Sequence, residues 1–266
     1  MPGAASKRPS RLARGASRAT LFPAPWQTSP AREEAAMSDK TFLITGASTG
    51  IGAATARAAV KAGYRVALAA RSVGKLAALV DELGGKAHAL AISCDVTSVD
   101  DQKRMVLETL AAFGSIDVAF ANAGIGATAM GTEHGDTGNW RDMILTNVFG
   151  CAVTAKVCLP ELKKSKGHIL LTGSRAGRVS LRGSIYGATK WAVTGFGQNL
   201  REEVAGTGVR VTLIEPGMVD TPFFDTPKPK ALKAEDVANA VMYAVSQPPH
   251  VDVAEVLVIP TPEVVG

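Results

Sequence analysis

The stretch Thr45-Gly46-Ala47-Ser48-Thr49-Gly50-Ile51-Gly52 constrains this chain more than any other. It follows the apolar run Thr41-Phe42-Leu43-Ile44 and opens an alanine-rich segment. That succession is a strand, a glycine turn and a helix N-terminus. Glycine lets the backbone turn tightly and come close to a bound group. The first amides of a helix face an anion, and the helix dipole assists them. The spacing is G-x-x-x-G-x-G and not the G-x-G-x-x-G of the standard dinucleotide fingerprint. Taken alone, the turn fits a pyrophosphate cradle or an ordinary strand–helix loop.

A second stretch, Thr172 to Trp191, centres on Tyr186 and Lys190. Four residues apart on a helix places both on one face, one turn from each other. A free phenol titrates near ~10 and exchanges protons poorly at neutral pH. A neighbouring ammonium is expected to lower that value. The pair then serves as a general acid/base, with Ser174 beside it to hold a substrate oxygen. An isolated Y-x-x-x-K is also what any amphipathic helix presents, so the pair gains meaning from the glycine turn upstream.

Between and beyond these stretches, apolar strands alternate with helices. Strands are expected over Lys40–Thr45, Arg65–Ala70, Ala87–Cys94, Ile116–Ala121, His168–Thr172, Val209–Ile214 and Val256–Ile259. Helices are expected over Gly50–Ala62, Val73–Leu83, Val99–Phe113, Asn139–Lys164, the segment from Tyr186 to near Gly206, and Ala234–Ser246. Gly124 to Gly138 reads as a loop. Pro216-Gly217 is expected to break the sixth strand, with a short polar loop following through Lys230. Near-continuous apolar strands separated by helices indicate an α/β fold: a doubly wound, seven-stranded parallel sheet covered on both faces.

The 266 residues are enough for one such domain. No run of 18 apolar residues occurs, so no membrane span is expected. The net charge of +5 is uneven. Residues 1–36 hold Lys7, Arg8, Arg11, Arg14, Arg18 and Arg32 against Glu33 and Glu34, and the rest is nearly balanced. The basic excess therefore sits in the tail, and no nucleic-acid surface is expected on the folded body. Residues 1–37 read as a disordered basic extension, with residues 38–266 the folded domain. A start at Met37, a transit peptide and a functional basic arm are the competing explanations, and the first is favoured. Cys94, Cys151 and Cys158 lack a C-x-x-C pattern and read as reduced thiols of a cytoplasmic protein. The four histidines lack metal-ligand spacing, so no metal is expected.

Taken in order, TGASTGIG, Asn122-Ala123-Gly124, Asn147, Ser174 and YGATK at Tyr186–Lys190 resemble the short-chain dehydrogenase/reductase family, in its type with TGxxxGxG and YxxxK motifs. The resemblance runs from about Lys40 to about Ile259. It implies a nicotinamide-dependent oxidoreductase and assigns roles. Gly46, Ser48, Thr49, Gly50, Ile51 and Gly52 would hold the dinucleotide. Asp95 and Val96 would meet the adenine, although Asp95 also reads as a helix cap. Asn122, Ala123 and Gly124 would line the ribose. Pro216, Gly217, Val219 and Thr221 would wrap the nicotinamide. Tyr186 and Lys190 would contact the cofactor as well as move the proton. Asn147 would order a water in the proton relay. Ser174 lies 12 residues before Tyr186, one fewer than is common in the family, with Thr172 and Ser180 as alternatives.

Arg71 and Ser72 follow the second strand, where an NAD-binding domain usually carries Asp or Glu. A guanidinium suits a 2′-phosphate, so NADP(H) is favoured and NAD is the alternative. Thr49 departs from the basic residue that NADP-preferring members often place before the second motif glycine.

The implied reaction is hydride transfer between the cofactor and a small or medium alcohol/carbonyl substrate. An NAD-dependent alcohol dehydrogenase, an acyl-chain ketoreductase and a non-catalytic dinucleotide sensor are the alternatives. The resemblance also implies a homo-oligomer, dimer or tetramer, built on the helices that include Val148–Leu159 and Trp191–Leu200.

Overall fold

A computed structural model describes residues 40–129 and 131–261, together with Gly3. The expected basic extension lies outside the described residues but for Gly3. Seven strands form one parallel sheet in the order β3-β2-β1-β4-β5-β6-β9. They are β1 (Thr41–Thr45), β2 (Arg65–Ala70), β3 (Ala89–Ser93), β4 (Val118–Ala121), β5 (His168–Thr172), β6 (Arg210–Pro216) and β9 (Glu255–Val258). Helices α1 (Gly50–Lys61), α2 (Val73–Glu82), α3 (Val99–Phe113), α4 (Thr137–Met143), α5 (Cys151–Ser165), α6 (Ile185–Glu203) and α7 (Ala234–Ser246) cover it.

The strands' alternation sorts the helices into two layers. Leu43, Ala67 and Ile169 face a core shared with α3, α5 and α6. Phe42, Ile44 and Leu68 face a second core shared with α1, α2 and α7. Leu43 and its neighbours Phe42 and Ile44 are fully buried on opposite faces. This is why β1 reads as an unbroken apolar run.

The strand order reverses between β1 and β4. Crevices for ligands open at such a switch point, beyond the carboxyl ends of the strands. Gly46, Arg71, Asp95, Asn122, Ser174 and Gly217 all lie just past those ends.

Three expectations are corrected. The predicted helix over 139–164 is continuous from Thr137 to Ser165 but widens to a π-helical turn at Ile144–Gly150. Gly150 is the last residue of that turn. A Cβ there would stand 2.9 Å from Val96 Cγ2, so glycine admits the close crossing. These 29 residues are long and apolar enough to cross a membrane. Here Met143, Val153, Cys158 and Leu162 instead bury one face in the core. Second, β6 runs through Pro216, which pairs with Val258. Proline is tolerated at that last position because the ladder bond passes to the next amide, Gly217 N–H to Val258 O at 2.7 Å. Third, the segment after β6 is not only loop. β7 (Val219–Asp220) pairs in parallel with β8 (Leu232–Lys233).

Candidate active site

Gly46 and Gly50 adopt positive φ of 63° and 55°, which glycine reaches without strain. A Cβ on Gly46 would lie 2.8 Å from Ala123 Cα, and one on Gly52 would lie 2.4 Å from the Gly46 carbonyl oxygen. The turn is therefore pressed against the end of β4. Thr49 begins α1 with no side-chain cap, and the first turn of the helix holds no acidic residue. Ser72 likewise begins α2 uncapped. By contrast, Ser98, Asp136 and Ser184 cap α3, α4 and α6 with side-chain oxygens. Helix α1 thus keeps its first amides for another acceptor, whereas the Val73 and Lys75 amides of α2 are taken by the Arg71 and Ser72 carbonyls.

Arg71 is exposed, and no described residue pairs with it. Asp95 does not cap α3, since Ser98 accepts the Asp101 amide at 3.2 Å. Asp95 Oδ1 instead accepts the amide and hydroxyl of Thr97 at 2.9 and 2.8 Å. Val96 turns its side chain into the α3/α5/α6 core, and Val219 turns its own into the α1/α2/α7 core. Ile51 packs on the second core, partly buried.

A chain of polar contacts joins the glycine turn to the tyrosine–lysine pair. Thr45 Oγ1 accepts the amides of Asn122 and Ala123 at 3.0 and 3.2 Å. Asn122 Nδ2 donates to the Thr45 and Gly46 carbonyls at 3.0 and 3.3 Å. Its Oδ1 accepts the Thr172 hydroxyl at 3.3 Å. The Thr172 carbonyl in turn accepts Lys190 Nζ at 2.7 Å. Thr45 and Thr172 thus act as structural relays. Sequence reading missed them in that role, because their partners come from strands about 75 and 50 residues away.

Asn147 lies in the π-helical turn. Its Oδ1 accepts the Ile125 amide at 2.9 Å, and its Nδ2 donates to the Ile125 carbonyl at 3.0 Å and to Thr189 Oγ1 at 3.1 Å. Both Nδ2 hydrogens are committed, so the side chain clamps the segment after Gly124 to α6. A Cβ on Gly124 would meet Asn147 Oδ1 at 3.3 Å and Lys190 Nζ at 3.8 Å, so these three positions converge.

Ser174 is buried and caps a short 3₁₀ turn, Arg175–Gly177. Its Oγ accepts the Ala176 amide at 3.0 Å and donates to the Pro216 carbonyl at 3.3 Å. It also neighbours the Tyr186 phenol. The one-residue shorter spacing therefore still delivers this serine to the tyrosine.

Burial dominates the proton chemistry. It pushes the Tyr186 phenol above its ordinary value, and the neighbouring Ser174 hydroxyl offsets this only in part. Burial lowers Lys190 to about 8. Lys190 Nζ stands 5.8 Å from the Tyr186 ring centroid and spends a hydrogen bond on Thr172. The lowering of the phenol expected from Lys190 is not what these side chains produce by themselves.

The segment after β6 folds over this group. A Cβ on Gly50 would meet Thr221 Cβ at 3.3 Å, so Thr221 sits on the glycine turn. The Phe223 ring lies 5.8 Å from the Tyr186 ring and fits against Gly126, where a Cβ would come within 2.8 Å of it. Among the described residues no cluster of three or more potential metal ligands occurs.

The family model described as short chain dehydrogenase matches residues 40–231. This chain belongs to that family. An uncharacterized oxidoreductase of Staphylococcus saprophyticus is 38% identical to this short-chain dehydrogenase over 231 residues, 84% of this chain and 98% of the relative. An alcohol dehydrogenase from the archaeon Thermococcus sibiricus, solved with 5-hydroxy-NADP, is 32% identical with a TM-score of 0.76, over 85% of this chain and 99% of that one. The closed form of a serine dehydrogenase with NADP+ is 31% identical with a TM-score of 0.77, over 85% and 97%. The short-chain dehydrogenase described here is accordingly an oxidoreductase of CH–OH groups that uses a nicotinamide cofactor.

Proposed function

We propose that this enzyme is an NADP(H)-dependent oxidoreductase of small to medium alcohol/carbonyl substrates, with Tyr186 as general acid/base. One arrangement carries the reading: Ser174 neighbours the Tyr186 phenol, and the buried Lys190 lies one turn along the same helix, its Nζ 5.8 Å from the Tyr186 ring centroid. The residues present fit the dinucleotide. Gly46, Gly50 and Gly52 leave the cradle that a Cβ would fill, and the first amides of α1 would take the pyrophosphate. Arg71, with Ser72 beside it, would take a 2′-phosphate. Asp95, Asn122 and the Pro216–Thr221 segment would line the adenine, ribose and nicotinamide.

When bound, the nicotinamide supplies or accepts the hydride. Ser174 Oγ holds the substrate oxygen beside Tyr186 Oη. Tyr186 gives that oxygen its proton during reduction and takes it during oxidation. Lys190 places a positive charge behind the phenol. Asn147 fixes the Ile125 segment against α6, with a water through that region as the relay to Lys190. Phe223 closes the chamber from above and favours compact substrates.

Two further readings accompany this one. Exposed Ile144 and Phe149 on the long helix and Trp191 on α6 support a homo-oligomer. Three free, buried cysteines support a reducing, cytoplasmic setting.

The test is titration with NADPH and NADH, followed by a carbonyl panel with Tyr186→Phe as control. Tighter NADPH binding and Tyr186-dependent turnover are expected. Binding without turnover of any carbonyl or alcohol would favour a dinucleotide sensor instead.

A further inference from the structure

Glu215 is the only acidic residue among the described residues whose whole side chain is buried; it is 2% exposed. Withdrawing a carboxylate from water costs several kcal/mol, roughly, unless a partner and further hydrogen bonds repay it. Here the repayment comes from the active-site loop. Arg178 Nε lies 2.8 and 2.9 Å from the two carboxylate oxygens. Thr194, one turn beyond Lys190 on α6, donates to Oε1 at 3.1 Å. Arg178 then reaches Glu255 on β9 at 2.5 Å, and Gln198 donates to the same carboxylate at 3.2 Å.

These contacts surround Ser174. Gly173 immediately before it lies against Glu215, since a Cβ there would stand 3.0 Å from Glu215 Cγ. Arg178, four residues after it, is held by the Glu215 carboxylate. Pro216, the residue after Glu215, accepts the Ser174 hydroxyl. One buried carboxylate therefore grips the serine loop on both sides and adjoins the acceptor that orients its hydroxyl.

We infer that Glu215 and Arg178 are positioning residues for Ser174, holding its hydroxyl in register with Tyr186. The inference rests on the oxidoreductase reading above for its kinetic consequence and on geometry alone for its structural one. A misplacement near 1 Å at a reacting group costs on the order of 100-fold in rate. A salt bridge that only tied β6 to the loop would lower stability and leave the serine's contribution intact.

The experiment is a double-mutant cycle of Glu215→Gln with Ser174→Ala, with amide hydrogen exchange at Ala176. Glu215→Gln is expected to lower kcat by about 10- to 100-fold with NADPH affinity within about twofold. In the Ser174→Ala background the same change is expected to cost less than about twofold, because the group it positions is gone. Exchange at the Ala176 amide, bonded to Ser174 Oγ, should rise about tenfold or more. Arg178→Lys keeps the charge, loses the planar guanidinium and should give an intermediate effect, which serves if Glu215→Gln does not fold. Fully multiplicative losses in the cycle, or unchanged kcat and exchange, would overturn the inference. If the wild type turns over no carbonyl, the oxidoreductase reading fails separately, and the exchange measurement still decides the positioning role.

Discussion

Lys190 Nζ lies 2.7 Å from the Thr172 carbonyl oxygen, in a site where the side chain is almost wholly removed from water. That single bond does not repay burial, so the ammonium titrates near 8 instead of 10.5. The folded state therefore binds its proton less tightly than the unfolded chain. The penalty is full below pH 8 and is relieved as pH rises from 8 towards 10.5. Lys190→Met should remove about 3 kcal/mol of penalty at pH 7 and lose about 1–2 kcal/mol by orphaning the Thr172 carbonyl. The net expectation is a melting temperature raised by a few degrees at pH 7, with the gain shrinking above pH 8, while turnover is lost. Thermal melts at pH 7 and pH 10 check this. A lower melting temperature at pH 7 would show that Lys190 stabilises the fold.

Tyr186 is held above the ordinary phenol value by burial, so it is protonated at neutral pH. A protonated acid suits carbonyl reduction. The reduction rate should stay level through neutral pH and fall as the pH passes the phenol's own titration, whereas alcohol oxidation should rise over that range. Tyr186→Phe should remove about 10²–10⁴-fold of turnover in both directions, with the cofactor still bound. A variant retaining more than a tenth of wild-type turnover would transfer the proton role elsewhere.

On the proposed reading Arg71 would decide between the two nicotinamide cofactors, since no carboxylate among the described residues partners it. Charge-assisted bonds from a guanidinium to phosphate contribute about 1.5–3 kcal/mol. Arg71→Ala should weaken NADPH binding about 10- to 100-fold and leave NADH within about twofold. Fluorescence titration of both cofactors reads the difference. Equal effects on the two would place the 2′-phosphate elsewhere.

Phe223 and Gly126 fit as ring and notch above Tyr186. Phe223→Ala opens that ceiling and should raise kcat/KM for bulky ketones relative to short ones, mainly through KM. Gly126→Val drives a side chain into the ring's place and should expel Phe223, with the same shift in preference and some loss of stability. A panel of ketones of increasing size checks both. Unchanged selectivity in Phe223→Ala would mean that the ring does not bound the substrate.

Local pattern made the central elements legible. The glycine turn is visible because both its dihedrals and its close contact with β4 require glycine. Tyr186 and Lys190 are visible because four residues make one helical turn. The contacts that unite them were not, since Thr45, Asn122, Thr172 and Lys190 meet only when distant strands align. Asparagine is a poor helix former, but propensity does not say that the helix widens at Asn147. Glu215 escaped for a similar reason. Its sequence neighbours are apolar or proline, and its partner Arg178 lies 37 residues away. The β7–β8 pair is two residues long on each side, too short for any alternation to register.

His168 shows how far burial alone can shape pH tolerance away from the active site. It begins β5, at the opposite end of the sheet. The Thr212 hydroxyl donates to the Val253 carbonyl at 2.6 Å, so its oxygen must accept from His168 Nε2–H at 2.7 Å. Nδ1 is then a bare nitrogen, buried without a partner among the described residues. Burial, with the Arg210 charge in support, pushes the ring down to about 3 from its ordinary 6.5. The folded state therefore refuses a proton that the unfolded chain accepts. Stability from this group is complete above pH 6.5 and declines as pH falls towards 3, by up to about 5 kcal/mol. His168→Gln cannot titrate and keeps an amide donor for Thr212. Its urea midpoint should fall much less than that of the wild type between pH 7 and pH 4.5, with turnover at pH 7 unchanged. Parallel declines in the two proteins would assign the acid sensitivity to other groups.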